Sequence, residues 1–147
     1  MTSPASLFTI GFTKKSAEQF FGLLSGAGVK RVLDVRLNNV SQLAGFTKKE
    51  DLEFFLRRIG DMDYLHLPEL APTQDLIDTA RSREWPKFEA GYRRLIRGRK
   101  VEGLVTRELL EGACLLCSEA QPQHCHRRIL ADYLVEHFPG VRVSHLV

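Results

Sequence analysis

Short apolar or β-branched runs alternate with amphipathic helical segments along nearly the whole chain. Five of these runs are predicted strands, at residues 7–10, 31–35, 64–67, 113–117 and 141–145. Between them, apolar side chains recur at helical spacing. Strands that alternate with helices form a mostly parallel central sheet with helices on both faces. The pattern therefore predicts an α/β fold.

The helical segments carry their own start and stop signals. Ser16 and Gln19 form a capping box, which predicts that the first helix begins there. Glycines at Gly26 and Gly28 are expected to end it. A longer helical region spans roughly residues 73–112, with expected breaks near residues 83 and 98.

The composition is that of a single globular domain, which we expect to span residues 1–147. Hydrophobic residues make up 44% and charged residues 27% of the chain, enough for one substantial core. The net charge of +3 permits an anionic small molecule or a nucleic acid as partner without requiring either. Apolar runs are far shorter than the roughly 20 residues of a membrane span. No signal peptide is recognisable, so we expect a cytoplasmic domain without membrane contact. The sequence does not indicate the oligomeric state.

The number of cysteines is odd, and they are Cys114, Cys117 and Cys125. Without an export signal, this count disfavours a disulfide framework and favours thiol chemistry or metal binding. The plain alternative is that they pack as small hydrophobic side chains, above all Cys114 in its predicted strand.

The segment from Cys114 to Arg128 offers the most chemistry, because it runs from a strand through a turn into a helix that begins near Cys125. A cysteine at a helix N-terminus is favoured as thiolate, and Arg127 and Arg128 add positive charge. Free backbone N–H groups at the same place also bind anions. Two alternatives stay open, a reactive thiolate or an oxyanion site. The plain alternative leaves both arginines in solvent.

Zinc is a further alternative at this segment. Cys114 and Cys117, followed by His124, Cys125 and His126, include enough ligand types for tetrahedral coordination. However, residues three apart in a strand point to opposite faces, and the later ligands lack a standard spacing. We therefore predict no metal ligands and no cofactor. One zinc per chain would contradict this and make Cys117, Cys125 and His126 the ligands.

Polar side chains also end two predicted strands, where parallel sheets bind ligands. Asp34 and Arg36 point the same way, so they pair with each other, or Asp34 orients Arg127. His66 is a candidate general acid or base, and Glu69 is a candidate to orient an arginine. The plain alternatives are a structural salt bridge and a packed histidine.

Aromatic and basic residues are mixed between residues 85 and 100. The rings of Trp85, Phe88 and Tyr92 stand among six lysines and arginines. Such a mixture suits nucleic acid, but a buried helix with a solvated basic face explains it as well, and we favour that interpretation.

Several motifs together resemble the DUF488 family. They are Thr9-Ile10-Gly11, Asp34-Val35-Arg36 with Ser41, Gly45-Phe46, Tyr64-x-His66-Leu67-Pro68-Glu69-Leu70, and Leu116-Cys117-x-Glu119 through Cys125-His126-Arg127. The resemblance covers nearly the whole chain and implies a bacterial or archaeal α/β domain with its site at these motifs. It implies little about activity, because the family is named for unknown function.

Two comparisons limit this resemblance. Many members have His-Ser where this chain has Phe12 and Thr13, so His66 or His126 would have to replace that histidine. Rhodanese-type domains also share a strand ending Asp-x-Arg and a later strand ending in cysteine. Here the segment after Cys117 is longer and has no glycine, so this likeness is only an analogy.

Three functional hypotheses follow. The first is a thiol-based enzyme or sensor, with Cys125 as the reactive thiolate and Cys117 as its resolving partner. The second is a nucleotide- or nucleic-acid-binding module with inert cysteines, and the third is a structural or partner-binding domain. The catalytic candidates are Cys125, Cys117 and His66. The candidates for binding or orienting an anion are Asp34, Arg36, Glu69, Glu119, His126 and Arg127.

Overall fold

The fold is seen in a computed structural model that describes residues 4–37, 49–118 and 125–147. These ranges form one five-stranded parallel sheet, in the order β3-β2-β4-β1-β5, with six α-helices. The strands are β1 Ala5–Gly11, β2 Arg31–Asp34, β3 Asp63–His66, β4 Ala113–Cys117 and β5 Val141–Leu146. The helices are α1 Ala17–Ala27, α2 Lys49–Gly60, α3 Gln74–Arg81, α4 Trp85–Arg99, α5 Arg107–Leu110 and α6 His126–His137. The predicted α/β fold is confirmed.

β2 and β4, which end in Asp34 and Cys117, lie inside the sheet. β2 pairs with β3 and β4, and β4 pairs with β2 and β1. All five residues of β4 are buried, as expected for a continuous apolar run covered on both faces. Both strands are therefore interior to the sheet.

Helices cover both faces of the sheet, and alternate strand residues point into two separate cores. Leu33 and Leu115 pack with side chains of α4, α5 and α6. Val32, Cys114 and Leu116 pack with α1 and α2 on the other face. The two-residue period of the strands thus places Cys114 on the opposite face from Leu115.

The helix signals predicted the two ends of α1 and the division of the long helical region. The Ser16 hydroxyl accepts a hydrogen bond from the Gln19 backbone N–H at 3.1 Å, and the Gln19 side chain accepts one from the Ser16 backbone at 2.9 Å. Gly28, at φ 73°, ends α1. The long helical region is divided at Arg83 and Lys100, both left-handed. Among the described helices, none has both the length and the apolar character needed to cross a membrane.

α4 shows which interpretation of the aromatic and basic segment holds. Phe88 and Tyr92 are buried in the core, whereas Arg94 and Arg97 are exposed. The rings of Phe88 and Tyr92 are stacked, with their centroids 6.0 Å apart. These two rings therefore serve the core, as the favoured interpretation predicted.

Two glycine-to-alanine substitutions are expected to change stability in opposite directions. A Cβ at Gly98, in α4, meets no atom within 4 Å, so alanine there should add about 0.5–1 kcal/mol to the free energy of unfolding. Gly28→Ala should lose about 1–2 kcal/mol, because Gly28 has φ 73° and a left-handed alanine is strained. Urea unfolding measures both values, and the same sign for both variants would contradict the prediction.

Candidate functional site

The two candidate cysteines lie at the carboxyl edge of the sheet, where open α/β sheets bind ligands. Cys117 is the last residue of β4, and Cys125 is the N-cap of α6, as its predicted position at a helix start requires. The two are joined by a disulfide, and both are buried. Cys114 is free and buried. The odd count disfavoured a disulfide framework, and one disulfide is nonetheless present, between the two residues that the first hypothesis paired.

Arg127 is fully buried beside this disulfide. Its Nη1 lies 3.1 Å from the Sγ of Cys117, and its Nε donates to the Thr9 hydroxyl at 3.2 Å. Leu130 and Leu134, three and seven residues later, are also fully buried on α6, so Arg127 shares the helix face that packs on the sheet. The plain alternative, in which Arg127 lies in solvent, is therefore wrong. The sulfur that Arg127 contacts is that of Cys117, whereas the sequence placed its charge near Cys125.

Thr9 and His145 extend the contacts of Arg127 across the sheet, and neither was among the candidate residues. Guanidinium nitrogens only donate, so the Thr9 oxygen accepts from Arg127 and gives its own hydrogen to His145 Nδ1, at 2.6 Å. Burial, followed by the charge of Arg127, lowers the pKa of His145. The neutral imidazole that can accept at Nδ1 is thereby favoured. The two residues face each other on β1 and β5.

Asp34 and Arg36 pair with each other at the end of β2. The Nε and Nη2 of Arg36 donate to the two carboxylate oxygens of Asp34 at 2.8 and 2.7 Å, and the Tyr64 hydroxyl donates to the second oxygen at 2.6 Å. Asp34 is fully buried. The Cζ of Arg36 also lies over the ring of Phe12, 5.3 Å from the ring centroid. Of the alternatives for Asp34, the described contacts show the ion pair with Arg36.

Two histidines bind backbone carbonyls at the same edge. His66 Nε2 lies 2.8 Å from the carbonyl oxygen of Arg36, and His126 Nε2 lies 2.8 Å from that of Val35. A carbonyl oxygen only accepts, so Nε2 carries a hydrogen in each ring. Burial of the ring, which disfavours its charged form, lowers the pKa of His126 to about 4. His126 is therefore a neutral imidazole near pH 7.

Two of the acidic candidates are not joined to this cluster by the described contacts. Glu69 is exposed and lines a separate surface hollow with Pro68, Arg99 and Leu104. Its carbonyl oxygen accepts a hydrogen bond from Arg99 at 2.7 Å. Glu119 lies outside the described residues, as do Ser41, Gly45, Phe46 and His124.

A cleft beside the site is lined in part by Cys125. It has a volume of about 220 Å³ and lies between the amino-terminal turns of α4 and α6. Arg128 lines it and pairs with Glu89 at 3.4 Å across the cleft and with Asp132 at 3.3 Å along α6. The other lining residues are Trp85, Pro86, Phe88, Cys125 and Ile129. Cys117 is not among the residues that line this cleft.

Fold and site together define an α/β domain with a two-cysteine site and a buried arginine at the carboxyl edge of a parallel sheet. The family model for the domain of unknown function DUF488 matches residues 16–134. The chain therefore belongs to the DUF488 family, as its motifs predicted. No curated protein and no solved structure matches it.

Proposed function

We propose that this chain is a thiol–disulfide redox domain, an enzyme or a sensor, in which Cys117 and Cys125 alternate between a disulfide and two thiols. One observation carries the proposal. The Arg127 Nη1 lies 3.1 Å from the Sγ of Cys117, and this sulfur is bonded to Cys125 in the disulfide. Arginine stays protonated in proteins. A thiolate formed at Cys117 would be stabilised by this buried cation and by a charge-assisted hydrogen bond.

The geometry supports a particular order of bond changes. An external thiolate enters the cleft and attacks the Sγ of Cys125. A new S–S bond joins the external sulfur to Cys125, while the Cys117–Cys125 bond breaks and its electron pair leaves on Cys117 as thiolate. Exchange is faster when the leaving thiol has a low pKa, and Arg127 contacts that leaving sulfur.

A second external thiolate completes the reduction. It attacks the external sulfur of the mixed disulfide, so that a small disulfide departs and Cys125 is left as thiolate. Two external thiols are thereby oxidised to one disulfide, and the protein disulfide gains the two electrons. The thiol protons pass to solvent and to the protein thiols. In the reverse direction, the Cys117 thiolate resolves a mixed disulfide on Cys125.

The remaining candidates take supporting roles in this proposal. The helix N-terminus favours the Cys125 thiolate. Hydrogen bonds from His126 and His66 to the carbonyls of Val35 and Arg36 hold the end of β2 beside α6 and β3. We therefore assign His66 to positioning the backbone, in place of proton transfer.

Anion binding at Arg36 and Arg127 stays a prediction and ranks behind thiol chemistry. Guanidinium nitrogens of Arg36 donate hydrogen bonds to Asp34, and those of Arg127 donate to Thr9 and Cys117. An added anion would have to compete with these partners. Nucleic-acid binding has less support, because the buried Phe88 and Tyr92 rings are closed to base stacking.

Thiol trapping of the folded protein tests the proposed function. The oxidised chain is treated with reduced glutathione, quenched with an alkylating agent, and mapped by mass spectrometry. We expect alkylation of Cys117 and Cys125 only after reduction. In the Cys117→Ser variant, treated with oxidised glutathione, the mixed disulfide should accumulate on Cys125, because the resolving sulfur is missing.

Cys114 serves as the internal control for this experiment. Burial raises the pKa of the Cys114 thiol, so it should stay unmodified near pH 7 until denaturant is added. The proposal fails if glutathione cannot reduce the disulfide in the folded chain, or if Cys114 reacts as fast as Cys125.

A further inference from the structure

We propose that the reduced site binds one zinc ion through Cys117, Cys125 and His126, so that a zinc-bound dithiolate and a metal-free disulfide are alternative states of the same residues. This inference rests on the proposed function in one respect, because the disulfide must open to two thiols. It goes beyond it by assigning a ligand to the reduced state.

The three donor atoms already lie close together. One sulfur from each cysteine and one ring nitrogen of His126 are all within 4.8 Å of one another. With Zn–S bonds of about 2.3 Å and Zn–N bonds of about 2.0 Å, tetrahedral zinc holds its ligand atoms roughly 3.5–3.8 Å apart. The donor atoms are therefore grouped on the scale that one zinc ion requires.

His126 has a backbone hydrogen bond of the kind that supports a zinc-binding histidine. Its Nε2–H donates to the Val35 carbonyl oxygen at 2.8 Å, so the free lone pair is on Nδ1. Metal-binding histidines usually donate their other ring N–H to a carbonyl or carboxylate, which fixes the tautomer and the ring. The Val35 carbonyl, just after β2, thus accepts the hydrogen bond that fixes the His126 ring, and it is not itself a ligand.

Charge and ligand type also favour zinc over hard cations. Thiolate and neutral imidazole select zinc or copper(I), whereas magnesium and calcium prefer oxygen ligands. Two thiolates balance the charge of Zn²⁺, and the Arg127 N–H near the Cys117 sulfur can persist as a hydrogen bond to a zinc-bound thiolate. Three protein ligands leave a fourth position for water or an external thiolate.

Zinc and the disulfide exclude each other, because both require the same sulfur electrons. When an external disulfide oxidises the zinc-bound pair, the two thiolates give up two electrons and form the Cys117–Cys125 bond. The external S–S bond breaks and its sulfurs take up two protons as thiols. Zinc then leaves, because its two thiolate ligands no longer exist.

The sequence analysis predicted no metal, and it named these same three ligands for the case that zinc is found. That prediction of no metal depended largely on Cys114 and Cys117 pointing to opposite faces of a strand. Cys114 does pack in the core beneath α1 and α2, so it is remote from the ligand set. Cys125 and His126, at the start of α6, take its place beside Cys117.

Metal titration of the full, untagged chain tests the inference. The protein is reduced anaerobically with a phosphine, stripped of metal, and titrated with Zn²⁺ against a chromophoric chelator. We expect one zinc per reduced chain and none per oxidised chain. His126→Ala should weaken the affinity at least about 10-fold, and Cys117→Ser should weaken it further. His137→Ala, at the far end of α6, should leave it unchanged.

Cobalt(II) gives a readout that needs no variant. The reduced chain should show tetrahedral d–d bands and sulfur-to-cobalt charge transfer with the intensity of two thiolate ligands. If two thiols are counted by alkylation but neither zinc nor cobalt binds, the inference is wrong and the proposed redox function stands. Unchanged zinc affinity in a folded His126→Ala variant also overturns it. If the folded disulfide cannot be reduced at all, both proposals fail.

Discussion

Replacement of Arg127 by methionine is expected to slow thiol reduction of the Cys117–Cys125 disulfide by roughly 10- to 150-fold. Arg127 donates to the sulfur that must leave as thiolate, at 3.1 Å. A hydrogen bond to a charged group contributes about 1.5–3 kcal/mol, and that contribution is lost as the thiolate forms. Methionine retains much of the apolar stem of arginine, so packing against α6 and the sheet is largely kept.

The same substitution should lower the reduction potential by about 30–65 mV, because the dithiol state loses its stabilised thiolate while the disulfide loses less. Equilibration in glutathione buffers measures the potential, and stopped-flow reduction measures the rate. Arg127→Lys keeps the positive charge and should recover part of both effects.

Arg31→Met is the matched control. Arg31 is a partly buried arginine, and it donates to the carbonyl oxygens of Leu109 and Glu111 at the opposite edge of the sheet. Its replacement should alter stability without altering the reduction rate. A folded Arg127→Met variant that is reduced at the original rate would remove the main support for the proposed function.

Asp34→Ala is expected to lower the free energy of unfolding by about 3–5 kcal/mol. The fully buried Asp34 carboxylate accepts hydrogen bonds from two Arg36 nitrogens and from the Tyr64 hydroxyl. Removing one partner of a buried ion pair leaves a buried charge without its compensation, and losses of this size result. Urea unfolding followed by circular dichroism measures the change.

A double variant separates this explanation from simple loss of packing. Asp34→Leu combined with Arg36→Met replaces the buried pair with apolar groups, and this exchange is often close to neutral. The double variant should therefore be more stable than Asp34→Ala. Glu53→Ala, which breaks an exposed pair with Arg57 at 3.9 Å, should cost less than about 1 kcal/mol. A similarly small cost for Asp34→Ala would contradict the prediction.

Local patterns in the sequence were enough to predict the elements of this fold. The apolar run of β4 has the same bounds in the structure as in the prediction, and the capping box at Ser16 marks the start of α1. β3 begins one residue earlier than predicted, at Asp63, and β2 ends at Asp34. Such ends depend on partner strands, which a local pattern does not contain.

The candidate site was predicted only in part, because its contacts join distant segments. Thr9 and His145 meet through a hydrogen bond between residues 136 positions apart, and nothing local to either strand shows that β1 and β5 are neighbours. Arg127 did leave a signal. It stands three and seven residues before Leu130 and Leu134, at the spacing of a buried helix face. Charged residues are so rarely buried, however, that this spacing alone does not predict burial.

The position of β1 has a consequence for when the site can exist during synthesis. β1 leaves the ribosome first among the strands, yet both of its neighbours, β4 and β5, come from residues 113–146. No stretch of chain made before then can complete the sheet around Thr9, and pairings between such distant segments form slowly. The cysteines, Arg127 and His145 are likewise made late. The two-cysteine site therefore cannot assemble before residues 113–146 have been synthesised, and until then a nascent chain carries β1 without either neighbouring strand.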